Sequence, residues 1–488
     1  MLPFKTLVSI DKKAAMPVYQ QIANGLIAII RKGMIKPGAA IPSSRVMAGV
    51  LQVHRKTIIA AYEELSAQDW IAAMPRKGIT VSKHLPELKP VSFRRTADTS
   101  AYNSNPPNFF MKLREAATVT AKKQTFRLVI NDGFPDARIA PVDNLLRHYR
   151  LFFRKTYHEG LIMHGDAEGS VNLRSAIASF LSDTRAIHAG SSNILITRGA
   201  QMAIFITARM LIKPGSTVIA GEPSYNVANM IFEHFGAKLI RVPVDENGID
   251  VDAIEKICKN RKPALLYVIP HHHHPTTVTL SADRRMKLLD IIRNYKLPVI
   301  EDDYDYDFHY NRTPILPLAS ADHNGYVLYI GSITKSFAST VRIGYLVAGA
   351  EFVWQAARLR EMIDIRGDVL MEEAMAVLFK NGDMQKHLKK AVKIYQERRD
   401  DFCSMLEAEL GGITRFTRPA GGMSVWVQFD KKYAVSAVAK KVAAKGLFMA
   451  DGGFYNSGKT NYNAVRMGFA SLNKKELEDV GSILGSIK

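Results

Sequence analysis

An apolar, strand-like run ends abruptly in carboxylates near residue 300. Residues 297–300 are apolar, and Glu301, Asp302, Asp303 and Tyr304 follow at once. In α/β proteins, ligands bind beyond the carboxyl ends of the sheet strands. The change from apolar to polar side chains therefore predicts an α/β fold with a polar site at the end of this strand.

Residues 326–330 form a second apolar run, which Gly331 and Ser332 are expected to break. Lys335 follows in a predicted loop that carries little charge before Arg342. A partly buried lysine with few cationic neighbours loses its proton readily, and a neutral amine can form a Schiff base with an aldehyde. A planar guanidinium suits a phosphate. Alone, this pattern is weak evidence for a reactive lysine, because most lysines that follow strands are solvated.

The two strand ends together offer the groups that a pyridoxal phosphate site requires: an amine, a guanidinium, a carboxylate and a phenol. A carboxylate near the pyridine nitrogen keeps that nitrogen protonated, so the ring can accept electrons, and a phenol can hydrogen-bond the ring oxygen. We predict Asp302 for the carboxylate and Tyr304 for the phenol.

Three motifs resemble those of fold-type I aminotransferases, and more closely those of the aminotransferase-like domain of MocR/GabR-type regulators. They are residues 301–304 (Glu-Asp-Asp-Tyr), 332–335 (Ser-Ile-Thr-Lys) and 342–345 (Arg-Ile-Gly-Tyr). The resemblance covers most of the chain. It implies that Lys335 carries the cofactor as an internal aldimine and that Ser332 and Arg342 contribute to cofactor binding.

A buried strand over residues 194–197 is predicted to lead into a helix that begins near Gly199, Ala200 and Gln201. Backbone N–H groups at a helix N-terminus bind anions, so these three residues are candidates for a phosphate cradle. A single glycine at such a turn is usually no more than a turn. Gly199 precedes the other motifs in the expected order along the chain, and this order strengthens the prediction of a phosphate cradle.

The resemblance also assigns roles to two further residues. Tyr225 matches the aromatic residue that stacks on the pyridine ring. Arg466 matches a late arginine that clamps an amino acid carboxylate through a two-point salt bridge. The structural alternative for Arg466 is an arginine that lies in a strand and pairs with a nearby acid.

Several positions depart from the family pattern. His274 stands where working aminotransferases commonly have the asparagine that helps to hold the ring oxygen, and Thr277 replaces a glycine. His164 stands where a tyrosine usually reaches the partner subunit's cofactor phosphate. Residues 271–274 are all histidines, but four adjacent side chains cannot all reach one ion, so we predict no metal site. The changes at 274 and 277 favour a regulator over an efficient enzyme.

The N-terminal part is unusually basic. Residues 1–95 carry 15 Lys and Arg against 5 Asp and Glu. This fifth of the chain therefore holds half of the total net charge of +20. A compact basic module indicates a polyanionic partner. A helix after Pro17, a short helix ending at Leu51, a longer one ending near Gln68 and a basic hairpin together predict a winged helix-turn-helix.

This module resembles the GntR-type winged helix in four ordered motifs, which are Pro17–Ile22, Gly38–Arg45, Arg55–Thr57 and Ala61–Leu65. The resemblance implies contacts with double-stranded DNA, which we assign to Ser44, Arg45, Arg55, Thr57 and, in the wing, Gly78. Arginine can neutralise phosphates or read guanine edges.

Two residues depart from the GntR pattern. His54 replaces the usual serine before the recognition-helix arginine, and Gln52 replaces the turn glycine.

These observations predict three parts: a GntR-type winged helix over residues 1–82, a polar linker over 83–125, and an aminotransferase-like domain over 126–488 that binds pyridoxal phosphate. Two cysteines cannot form a disulfide framework, and no apolar run is long enough to span a bilayer, so a cytoplasmic protein is expected.

We expect a homodimeric transcription regulator whose effector is an amino compound with a carboxylate. An aminotransferase with a vestigial DNA module and a sensor of cofactor level alone are the alternatives.

Overall fold

The computed structural model describes residues 2–12, 14, 16–74, 78–83, 85, 126–159, 165–310, 315–457 and 460–487. The chain divides into two compact units, Met1–Lys112 and Leu113–Lys488. Nearly all of the predicted linker, residues 83–125, lies outside the described residues, as do residues 75–77 of the predicted basic hairpin. Among the described residues, no helix is both long and apolar enough to cross a membrane.

The first unit is a winged helix-turn-helix, as predicted. Strands β1 and β2 pair antiparallel to form the wing. The elements are α1 (Phe4–Leu7), α2 (Val18–Arg31), α3 (Ser44–Leu51), α4 (Arg55–Ala67), β1 (Ile71–Met74) and β2 (Gly78–Val81). The core of this unit forms because α2, α3 and α4 each bury one apolar face, on which Ile22, Leu26, Met47, Ile58 and Leu65 are almost wholly inaccessible.

The two departures from the GntR pattern leave the local geometry intact. Gln52 takes the left-handed conformation expected of a turn glycine, with φ of 53°. His54 caps α4 in place of a serine, because its Nδ1 accepts a hydrogen bond from the backbone N–H of Lys56 at 3.2 Å. The turn between α3 and α4 is therefore retained with different side chains.

The second unit is an α/β domain with helices packed on a large sheet. Its strands are β3 (Leu128–Val129), β4 (Ile194–Thr197), β5 (Thr217–Glu222), β6 (Lys238–Asp245), β7 (Gly248–Ile249), β8 (Leu265–Val268), β9 (Val299–Asp303), β10 (Val327–Ser332), β11 (Gly344–Val347), β12 (Thr414–Arg415), β13 (Ser424–Phe429), β14 (Leu447–Phe448) and β15 (Ala464–Gly468). Its helices are α5 (Val142–Glu159), α6 (Val171–Arg185), α7 (Ala200–Leu211), α8 (Asn226–His234), α9 (Val251–Asn260), α10 (Ala282–Tyr295), α11 (Ile333–Ser336), α12 (Ala350–Asp364), α13 (Val369–Lys380), α14 (Asp383–Leu410), α15 (Val435–Ala443) and α16 (Lys474–Gly485).

The main sheet has eight strands in the order β4-β11-β10-β9-β8-β5-β6-β7. The pairs within β10-β9-β8-β5-β6 are parallel, and β11 and β7 run antiparallel to their neighbours. The carboxyl ends of β4, β5, β8, β9 and β10 therefore meet at one edge of the sheet. Every strand that precedes a predicted cofactor residue contributes to this edge, where ligands of open α/β sheets bind.

A smaller antiparallel sheet, β12-β13-β15, and a parallel pair, β14-β3, complete the unit. A short segment, residues 131–134, runs from β3 along β15. It is attached there by a backbone hydrogen bond of 2.7 Å from the Gly468 N–H to the Asn131 carbonyl. A Cβ on Gly468 would lie 2.5 Å from Asn131 Oδ1, so only glycine permits this close approach.

The expected break at Gly331 and the loop around Lys335 are both wrong. Strand β10 continues through Ser332, and Lys335 lies in α11. Gly331 is required for packing and not for a turn, because a Cβ there would lie 2.2 Å from the ring of Tyr345 in β11. The helix begins at once because Ser332 Oγ accepts a hydrogen bond from the Thr334 N–H at 3.2 Å.

Candidate functional site

A cavity of about 240 Å³ lies at the carboxyl edge of the main sheet. Side chains from β9, β10, α7, α11 and β15 line it. The lining includes every residue that we assigned to the cofactor or effector except Gly199: Lys335, Asp302, Tyr304, Tyr225, Ser332, Arg342, Ala200, Gln201 and Arg466. The fold therefore brings together residues that are widely separated along the chain.

Lys335 points into the cavity from α11. Its Nζ donates a hydrogen bond to the Gly133 carbonyl at 2.7 Å and lies 4.1 Å from the centre of the Phe134 ring. Burial lowers the pKa of Lys335 to about 8, because the cavity solvates an ammonium poorly and Arg466 adds repulsion, while Asp132 opposes the shift. At neutral pH, a useful fraction of this amine is uncharged.

Asp302 lies on β9 beneath the cavity. Its Oδ2 accepts a hydrogen bond from the Tyr267 hydroxyl at 2.7 Å, and its Oδ1 is buried with no hydrogen-bond partner among the described residues. Burial raises the pKa of Asp302 to about 7, and the charges of Asp303 and Asp305 add to the shift. A cationic group placed beside the free oxygen would stabilise the carboxylate.

Tyr304 and Arg466 are joined across the cavity. The Tyr304 hydroxyl donates to the His272 carbonyl at 3.0 Å and accepts from Arg466 Nη2 at 3.0 Å. The Tyr225 ring meets His274 edge-on, with 5.1 Å between the ring centres. Both tyrosines thus line the cavity with fixed orientations.

The start of α7, where we predict the phosphate cradle, is closely packed. Gly199, at φ of 84°, lies against the guanidinium of Arg342, and a Cβ there would come within 3.2 Å of Nη2. A Cβ on Gly344 would lie 2.5 Å from the Gly199 carbonyl carbon. Arg342 itself has φ of 53°, a strained conformation that is found preferentially at functional sites. Gly199 therefore packs against Arg342 and does not line the cavity.

Asp132 is a residue of the site that sequence reasoning missed. Its Oδ1 lies 3.3 Å from Arg466 Nε and accepts a hydrogen bond from the Tyr455 hydroxyl at 2.9 Å. Its Oδ2 lies 3.0 Å from His274 Nε2. Arg466 is thus paired with a nearby acid, as the structural alternative proposed, and lines the cavity as well. Nothing in the sequence linked Asp132 to a residue over 300 positions away.

The four adjacent histidines turn to different partners. The ring of His271 lies 3.1 Å from Asp303 Oδ1, that of His272 lies 2.9 Å from Asp305 Oδ1, and that of His273 lies 2.9 Å from the Pro223 carbonyl. Together with the contact of His274 to Asp132, these bonds anchor the histidine segment that follows β8. The described residues contain no group of three side chains placed to hold a metal ion.

His274 has a defined role in this arrangement. Burial lowers the pKa of His274, so the ring is neutral at pH 7. A neutral ring that donates from Nε2 to Asp132 leaves Nδ1 as an acceptor, and Nδ1 is buried without a hydrogen-bond partner among the described residues. In that tautomer His274 has no proton to donate into the cavity, whereas an asparagine amide would. Position 164, another of the departures noted in the sequence, lies outside the described residues.

In the first unit, the structure brings Ser44 and Arg55 together. Arg55 Nε donates to Ser44 Oγ at 3.4 Å, which joins the first turn of α3 to the first turn of α4. Arg45 and Gly78 are exposed, and Thr57 is half-buried one residue beyond Lys56. The exposed arginines thus stand at the starts of the two helices of the helix-turn-helix.

Comparison with known families matches both units. Residues 18–81 match the bacterial regulatory proteins of the gntR family, and residues 158–483 match aminotransferase class I and II. The chain belongs to the class I and II aminotransferase family. It combines that domain with a GntR winged helix, which confirms the predicted fusion, and its cofactor is pyridoxal phosphate. It is a DNA-binding regulator with an aminotransferase-like domain.

Named relatives match this chain over most of its length. The chain is similar to the uncharacterized HTH-type transcriptional regulator YdfD of Bacillus subtilis (strain 168), with 28% identity over 461 residues, 94% of each chain. It is 25% identical over 426 residues to the probable rhizopine catabolism regulatory protein MocR of Rhizobium meliloti, covering 87% of this chain and 84% of that protein.

A solved structure shows the same fold for the second unit. LysN, an alpha-aminoadipate aminotransferase from Thermus thermophilus complexed with N-(5'-phosphopyridoxyl)-L-leucine, matches with a TM-score of 0.68 and 24% identity, over 74% of this chain and 91% of that one.

Proposed function

We propose that the protein is a transcription regulator in which the aminotransferase-like domain senses an amino-acid-like effector and the winged helix binds an operator, as a homodimer. The observation that carries this proposal is the convergence of Lys335, Asp302 and Arg342 on one cavity in a chain that also has a GntR winged helix. Bound pyridoxal phosphate supplies an aldehyde that bonds amines and a ring that accepts electrons.

The cavity suits the cofactor, because several of its polar atoms need a partner. Asp302 Oδ1, Thr334 Oγ1 and His274 Nδ1 are buried with no hydrogen-bond partner in the part of the chain that the structure describes. Unpaired buried polar atoms are costly, and a polar ligand would relieve that cost. The cradle at Gly199 and Gly344 likewise keeps the start of α7 free of side-chain bulk.

Each lining residue is assigned one task. Lys335 provides the amine for the covalent link, Asp302 pairs with the ring nitrogen, Tyr304 hydrogen-bonds the ring oxygen and Tyr225 packs on the ring. Arg466 binds the effector carboxylate. The phosphate is held by Ser332, Arg342 and the first backbone N–H groups of α7, at Ala200 and Gln201.

Regulation requires the effector to bind one state of the domain more tightly than another. The neutral His274, with no proton directed at the cavity, supports sensing over rapid turnover, since a donor that working aminotransferases commonly use is missing. The dimer would present two winged helices to a repeated or symmetric operator.

The test begins with cofactor-loaded protein and sheared genomic DNA, from which the retained fragments are sequenced. Discrete sites are expected, and an amine effector should change their recovery. Lys335→Ala should abolish the cofactor's protein-linked absorbance band and the effector response, while DNA binding persists.

Lys380→Ala is the matched control, because Lys380 is an exposed helix lysine bonded to Asn172. Uniform, salt-labile DNA recovery, or a normal effector response in Lys335→Ala, would contradict the proposal. Sustained amino transfer with a keto acid acceptor would favour the aminotransferase alternative.

A further inference from the structure

The guanidinium assigned to the effector carboxylate already has a carboxylate partner within the chain. Arg466 is almost completely buried, its Nε lies 3.3 Å from Asp132 Oδ1, and its Nη2 donates to Tyr304 at 3.0 Å. Asp132 lines the same cavity as Lys335, and its side chain is 42% exposed. An incoming carboxylate at Arg466 therefore meets a like charge.

Asp132 is held in place by its own segment. Asn131 Oδ1 accepts hydrogen bonds from the Gly133 N–H at 3.0 Å and the Phe134 N–H at 2.8 Å, which fixes the turn around Asp132. The Gly468 N–H bonds the Asn131 carbonyl at 2.7 Å and ties this turn to β15, two residues beyond Arg466. The pairing of Asp132 with Arg466 is thus set by the backbone.

Asp132 also remains charged at neutral pH. Burial alone would raise the pKa of Asp132, but the hydrogen bond from His274 and the charges of Arg466 and Lys335 hold it well below the ordinary value. The Tyr455 hydroxyl donates a further hydrogen bond to the same carboxylate at 2.9 Å. The cavity therefore contains a permanent anion beside Arg466.

We propose that Asp132 is a specificity-determining residue that competes with the effector's carboxylate for Arg466. The site then discriminates against amines with a carboxylate, relative to matched amines without one, and admits a carboxylate only when it displaces Asp132. This inference rests on the proposed effector site. Replacing Asp132 with a neutral side chain should remove the competitor and leave the guanidinium in place.

The experiment uses the cofactor-loaded full chain and three matched probes: L-norvaline, butylamine, which lacks its carboxylate, and pentanoate, which lacks its amine. Asp132→Asn should tighten binding of norvaline and pentanoate by about 10-fold or more, because one like charge is removed at close range beside a buried guanidinium. Butylamine affinity should not tighten, since butylamine has no carboxylate to compete and its ammonium form loses an anionic neighbour.

Pentanoate binding is measured by calorimetry, and binding of the two amines by the absorbance of the cofactor. Asp132→Glu should retain wild-type selectivity, and Asp132→Ala replaces the asparagine variant if that variant fails to fold. Asp136→Asn is the control, because Asp136 follows in the same stretch but pairs with Arg138 and Arg398.

Unchanged or weaker pentanoate binding in Asp132→Asn would overturn the proposal and make Asp132 a residue that only orients Arg466. This outcome is separable from failure of the proposed function. If the proposed function itself failed, the wild-type protein would show no cofactor band linked to Lys335, whatever its affinity for pentanoate.

Discussion

The buried amine of Lys335 should capture its cofactor with a pH dependence unlike that of an ordinary lysine. With a pKa of about 8, about one molecule in ten has the neutral amine at pH 7. A lysine at its usual pKa of about 10.4 would have only about 4 in 10,000. Because only the neutral amine attacks an aldehyde, the rate of capture at pH 7 should be enhanced by roughly 200-fold.

The assay is stopped-flow absorbance of cofactor-free protein mixed with pyridoxal phosphate between pH 6 and 10. The rate should rise about tenfold per pH unit and level off near pH 8. Asp132→Asn should move the midpoint lower, because Asp132 raises the pKa of Lys335 by stabilising the ammonium. A midpoint near pH 10 would refute the argument that burial controls this amine.

The lowered pKa of Lys335 should also make the stability of the cofactor-free protein increase with pH. Since the folded-state pKa lies below the unfolded one, the unfolded chain binds more protons between about pH 8 and pH 10.5, and cofactor-free protein gains stability as pH rises through that window. The gain is at most about 3 kcal/mol, from about 1.36 kcal/mol per unit. Lys335→Met should abolish this rise in a series of thermal melts, and a rise that persists would assign it to other groups.

Three further perturbations test other parts of the chain. Gly344→Ala should weaken cofactor binding by about tenfold or more, since its Cβ would displace the start of α7, while Gly349→Ala, with open space around it, should bind normally in the same equilibrium titration. Asp302→Asn should weaken cofactor retention in dialysis by a similar factor, because an amide cannot neutralise a ring cation, and wild-type retention would rule out that pairing. Arg55→Ala should cost operator binding about 1–3 kcal/mol in a salt-dependent shift assay and leave cofactor absorbance unchanged; unaltered affinity would remove Arg55 from the interface.

The sequence was most informative where a functional side chain lies next to a strand end. Asp302 and Lys335 could be predicted to lie near one another because a parallel sheet places the residues after its strands at one edge, while the roles of Ser332 and Lys335 came from the family resemblance. Gly331 was misread because a glycine needed for close packing and one needed for a turn look alike in a sequence. Only the position of the Tyr345 ring distinguishes them.

Asp132 could not have been found in this way. Its importance comes from contacts with His274, Tyr455 and Arg466, which the chain reaches only after more than 140 residues. No local pattern records such a contact. The tautomer of His274 is hidden for the same reason, because it depends on which ring nitrogen faces Asp132.

The segment of residues 131–134 contacts both the amine and the guanidinium of the cavity. The carbonyl of Gly133 holds the amine of Lys335, and the neighbouring side chain of Asp132 holds the guanidinium of Arg466. Loss of either contact alone leaves the other in place, and the hydrogen bond from Gly468 to Asn131 keeps the segment attached to β15 throughout. Both contacts of this segment with the cavity's cations are therefore lost only when the amine of Lys335 and the guanidinium of Arg466 are engaged by other groups at the same time.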